Sequence, residues 1–120
     1  MAWQVAFAVF LIVHGLLHPA IYGPPPSSDA PWNTAQSWVL SRSGWAARRT
    51  VAVVLSVVTA VGYLFTGAAL LVGADWWGPM AIIASVLSLV LLVGYFHPWL
   101  SLGVLLDVMI IWAALAGWPV

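Results

Sequence analysis

Cysteine is absent from the 120 residues, which excludes disulfides, thiolate metal sites and dithiol redox chemistry together. Charge is nearly absent too: three Lys or Arg, three Asp or Glu, and a formal net charge of zero. With 5% charged residues against 64% hydrophobic ones, the chain has too little polar surface to cover a water-soluble globule. Nor does it hold a basic patch able to grip a phosphate backbone, so nucleic acid is not a partner. A lipid bilayer is the solvent that suits this composition, and the first partner.

What the chain does have is long apolar runs. A hydrocarbon core about 30 Å thick requires roughly 20 apolar residues per helix. Such windows occur at 2–22, 50–72, 78–99 and 100–118. They predict an all-α membrane protein, a single domain over 1–120 built as an antiparallel bundle of four transmembrane helices. The first window has no basic leader and no small-x-small cleavage site, and it carries two histidines, so it reads as a span rather than a signal peptide.

The connection at 23–49 is unlike the rest. GPPPSSDAPW at its start forbids a continuing helix. Asn33 or Thr34 then caps a short interfacial helix running to about Leu40, with Trp32, Trp38 and Trp45 in the headgroup layer. Arg42, Arg48 and Arg49 also lie in this connection, which places it in the cytoplasm and both termini outside. The opposite connection, Gly73 to Gly78, carries Asp75 and no basic residue, in agreement.

Polar residues inside the spans fall in helical register. Gln4, Phe7, Leu11, His14 and His18 share one stripe of the first span, and Ser56, Thr59, Tyr63 and Thr66 share one of the second. Ser85, Ser88 and Tyr95 do so in the third, with His97 near its end, and Gly103 and Asp107 in the fourth. Gly62 and Thr66 form a small-x-x-x-small pair expected at a close helix contact. At 1.5 Å per residue His18 lies about 6 Å and His14 about 12 Å in from the boundary, and Asp107 about 10 Å in from the same side. The three histidines and the intramembrane carboxyl group therefore share one half of the bilayer.

GLLHP at Gly15–Pro19 returns as GYFHP at Gly94–Pro98. Within a helix a proline frees the carbonyl four residues back, and a glycine there leaves room for its ring, so both copies read as kinks. One reading is a duplicated two-helix unit with a cavity between the halves. Three identical positions in five leave chance as the rival reading.

Asp107 is the residue hardest to explain as structure alone, since a carboxyl group at mid-span costs about 2.5–3.5 kcal/mol on insertion scales. His14 and His18 on the same face at i and i+4 supply a titratable partner, although a histidine also serves simply to fasten helices. The Ser and Thr stripes read as packing glue, and Trp3, Trp76, Trp77, Trp99 and Trp118 as interfacial belts, which leaves only Trp112 deep in a span.

With HGLLH at His14–His18 and SVLSLVLLV at Ser85–Val93, the chain resembles small four-helix bacterial integral membrane proteins of uncharacterised function. That resemblance covers nearly the whole length and implies no known chemistry. In size and span count the chain is also similar to the small multidrug resistance transporters. Their first-span glutamate has no counterpart, because glutamate is absent here.

Three function classes follow. The first binds or acts on a lipophilic, isoprenoid-like molecule by acid–base chemistry, an isomerisation or cyclisation, with Asp107 as acid and His14 or His18 as base. Tyr63, Tyr95, Trp112, Thr59, Ser88 and His97 would line its substrate site, the aromatic faces stabilising a developing cation. The second is a small proton-coupled transporter, as a homo-oligomer, using the same groups. The third is a structural or accessory subunit. His14, His18 and Asp107 also match a three-ligand open zinc site, and imidazoles on parallel spans are in principle haem ligands. No second carboxylate remains to orient the imidazoles. No metal or cofactor is assigned.

Overall fold

The computed structural model describes residues 2–23, 37, 42, 44–95 and 100–119. They form four helices, α1 (Ala2–Tyr22), α2 (Trp45–Val72), α3 (Trp77–Gly94) and α4 (Ser101–Ala116). Apolar runs make them helical because every backbone polar group must be satisfied internally in hydrocarbon. Three are long and apolar enough to cross a membrane. The fourth, 16 residues, is apolar but about 24 Å long.

The bundle is antiparallel, and contacts at both ends prove it. At one end Trp118 packs against Trp3 and Phe7, and Gln4 Nε2 donates to the Leu70 carbonyl at 2.5 Å. At the other, the Tyr22 and Tyr95 rings meet at 6.1 Å, Arg49 donates to the Gly23 carbonyl at 2.7 Å, and the Tyr95 hydroxyl donates to the Arg48 carbonyl. Thus α1 and α3 are parallel, as the depth argument requires. Each helix packs most closely on its neighbour in sequence. Gly73 and Gly117, both at φ 73°, stop α2 and α4 in a left-handed conformation that glycine adopts without strain.

The helix bounds differ from expectation in two places. Helix α2 begins at Trp45, so Arg48 and Arg49 sit in its first turns rather than in the connection. Its 28 residues span about 42 Å, long enough to carry both arginines past the hydrocarbon. Pro19 is inside α1, whereas α3 ends at Gly94. His97, Pro98 and Trp99 lie outside the described residues. So does the expected interfacial helix apart from Ser37, which is not helical and whose hydroxyl donates to the Gly94 carbonyl at 2.7 Å.

Two apolar clusters form the core. One contains Leu11, Leu70, Trp77, Ala84 and Ile110; the other, towards the arginine end, contains Tyr22, Ala52, Leu91, Leu92 and Leu100. Valines and leucines such as Val9, Val57, Val90 and Leu105 face outward to lipid. Close approach sets the spacing of the helices: a Cβ on Gly62 would lie 3.1 Å from that of Ala84, and a Cβ on Gly15 only 2.5 Å from that of Tyr63. Gly15 is required for the α1–α2 contact, while no described residue lies within 4 Å of a Cβ on Gly94.

Candidate functional site

Between the apolar clusters lies a polar layer to which all four helices contribute. Its centre is Asp107 of α4, with no exposed surface. Asp107 Oδ1 receives the Tyr63 hydroxyl of α2 at 2.9 Å and His14 Nε2 of α1 at 2.8 Å. The Ser88 hydroxyl of α3 meets Oδ2 and is also 2.6 Å from His18 Nε2. Tyr63 Oη is 2.8 Å from Ser85 Oγ. Ring contacts hold the imidazoles: Phe10 stacks on His14, Tyr63 stacks on His18, and the two histidines meet edge to face at 5.1 Å.

The hydrogen-bond partners determine where most protons lie. His18 Nδ1 faces two acceptors, the carbonyls of His14 at 3.0 Å and Gly15 at 3.2 Å, so it must carry a hydrogen. Tyr63 donates to Asp107 and therefore accepts from Ser85. His14 Nε2 faces a carboxyl oxygen that already accepts from Tyr63, so it too carries a hydrogen. That leaves His14 Nδ1 with a lone pair. It has no hydrogen-bond partner among the described residues and is not one of the sealed polar atoms.

A cavity of about 180 Å³ adjoins the layer on the arginine side. His14, His18 and Tyr22 of α1 line it, facing Leu102, Gly103 and Leu106 of α4. Leu17 and Leu102 on its rim are half exposed or more, so it opens between α1 and α4 towards lipid. Asp107 does not line it. The Tyr22 hydroxyl is buried without a partner among the described residues, a condition that costs about 1–3 kcal/mol when nothing satisfies the group.

His14, His18, Asp107, Tyr63 and Ser88 are thus brought together as the stripes predict. Others are not. Trp112 is 66% exposed on the lipid face of α4 and cannot stabilise a charge at the site. Tyr95 is buried against Tyr22 with its hydroxyl on Arg48, outside the polar layer. Thr59 is buried, does not line the cavity, and its hydroxyl has no partner among the described residues, which nothing there explains. Trp77, expected at the interface, is instead buried with its ring edge-on to Phe7. Sequence reasoning missed Tyr22, which continues the first stripe four residues after His18, and it read Ser85, already on the third stripe, only as packing glue.

The ligand atoms of His14, His18 and Asp107 all lie within 4.8 Å of one another. As a metal site the arrangement fits poorly, because the Ser88 hydroxyl stands between His18 Nε2 and Asp107 and hydrogen bonds already occupy each inward-facing atom. No protein-family model, curated protein or solved structure matches the chain.

Proposed function

We propose that this is an intramembrane acid–base protein acting on a lipophilic small molecule that reaches the histidines from the bilayer, between α1 and α4. The observation that carries this reading is His14 Nδ1, the one imidazole nitrogen of the layer without a partner among the described residues, on a residue that lines a mostly aliphatic cavity.

The chemistry follows from the pair. Asp107 holds His14 Nε2–H, keeps the imidazole in the tautomer with a basic Nδ1, and stabilises the imidazolium that forms when Nδ1 takes a proton. Asp107 itself does not line the cavity, so direct donation from its carboxyl group gives way to exchange through His14. Low-dielectric surroundings strengthen the attraction between Asp107 and the imidazolium, and an apolar wall excludes competing water. Proton removal and return at different positions of one molecule is an isomerisation, the reaction class this site suits.

The test is exchange into a lipid extract. Protein in vesicles prepared with heavy water, incubated with membrane lipids, should introduce deuterium at carbon into one lipophile, and Asp107→Asn should fold yet abolish the labelling. Equal labelling by wild type and variant, or none by wild type, would overturn the reading. The arginine-bearing connection is proposed to be cytoplasmic. A single cysteine at Gly44, unique in this cysteine-free chain, should resist an impermeant maleimide applied to intact cells.

A further inference from the structure

Most polar atoms of the layer are already paired, so those that are not define what the cavity can hold. Among the described residues lining it, the unpartnered side-chain group that is not sealed is His14 Nδ1, since the Tyr22 hydroxyl, two turns on, is buried away from the surface. That nitrogen is an acceptor only, because Nε2 keeps its hydrogen for Asp107. A group bound to it must bring its own hydrogen.

The walls restrict the ligand further. Leu17, Ile21, Leu92, Leu100, Leu102 and Leu106 supply aliphatic surface, and no arginine lines the cavity. An anionic head would lose its hydration there with no arginine among the described lining residues to replace it. A cationic ammonium, which donates to an acceptor, would meet a carboxylate only through the His14 ring. A neutral group with an O–H meets every requirement.

We propose that the ligand is an uncharged lipophilic alcohol or phenol whose hydroxyl donates to His14 Nδ1. This deepens the acid–base reading and rests on it. The step is a single transfer: the ligand O–H bond breaks as an Nδ1–H bond forms, its electron pair stays on oxygen, and Asp107 faces the resulting imidazolium. The proton returns to the same ligand or to its rearranged form, so nothing else is consumed.

Two matched probes decide between the outcomes, a long-chain alcohol carrying a diazirine and its O-methyl ether, which accepts but cannot donate. Each is photolysed with the full-length protein in phosphatidylcholine nanodiscs, and labelled residues are mapped. The alcohol should label the segments around His18 and Leu102 about tenfold more than the ether, the factor expected of one buried hydrogen bond. Leu102→Trp, which fills the cavity without touching the polar layer, should abolish both signals while thermal unfolding confirms the fold. A nitrogen-15 shift of His14 Nδ1 on adding alcohol, and not ether, is the independent signature. Equal labelling of the cavity by both probes would overturn the hydroxyl assignment and leave the lipophile site standing. Labelling by neither probe, or labelling that survives Leu102→Trp, would overturn the site itself.

Discussion

His18 Nδ1 lies 3.2 Å from the Gly15 carbonyl, the acceptor that the residue at position 19 would take in an uninterrupted helix. Pro19 has no N–H to offer. The proline therefore leaves an acceptor open, and the imidazole of the preceding residue donates to it. His18 is held as the Nδ1–H form, with Nε2 turned to Ser88.

Pro19→Ala supplies the missing N–H, which competes with His18 for Gly15. The helix should become more stable, while His18 should change from one tautomer to a mixture. Nitrogen-15 spectra of the ring report this directly. A single unchanged tautomer in the variant would show that the His14 carbonyl alone is sufficient.

The single Ser88 hydroxyl proton serves two partners, and this permits two arrangements of equal charge. Either an imidazolium His18 donates to Ser88 and Ser88 to a carboxylate, or a protonated Asp107 donates to Ser88 and Ser88 to a neutral His18. Ser88→Ala should cost about 1–3 kcal/mol in unfolding by orphaning His18 Nε2 and one carboxyl oxygen. Ser88→Thr keeps the hydroxyl and should retain most of that stability. Infrared absorption of the carboxyl group should change with alanine and not with threonine.

Gly15→Ala forces a methyl group to within 2.5 Å of the Tyr63 Cβ, so α1 and α2 must part, at about 1–3 kcal/mol. Gly94→Ala meets no described residue within 4 Å and should be neutral or stabilising by up to about 1 kcal/mol. Thermal unfolding of the pair separates the two copies of the motif. Equal losses would contradict the assigned roles.

Much of the polar layer was legible because intramembrane polar residues are costly, and their spacing reveals the shared face. His14, His18, Tyr63, Ser88 and Asp107 all emerge in that way. The aromatic residues do not, because lipid and protein interior are equally apolar and hydropathy carries no information on which side a Trp faces. Trp112 and Trp77 exchange places for that reason. Gly15 was misread as room for a proline ring, since its neighbour across the bundle, Tyr63, is 48 positions away. The start of α2 was misplaced because Arg48 and Arg49 mark the edge of hydrocarbon, which is not the edge of the helix.

Trp112→Ala tests the correction at the outer face. With 66% of its surface exposed, the residue should change unfolding by no more than about 0.5 kcal/mol and leave probe labelling of the cavity intact. Loss of labelling would return Trp112 to the site.

The seam between α1 and α4 is fastened unevenly. Trp118 clasps Trp3 and Phe7 at one end, the Asp107–His14 bond ties the middle, and the remaining third is lined by the aliphatic cavity. Such a seam resembles a clothes-peg, with the aromatic end closed, the bonded middle in the place of the pivot and the cavity between the jaws. A guest would then be admitted and released sideways, and the proton-sharing groups would never need to let go of one another.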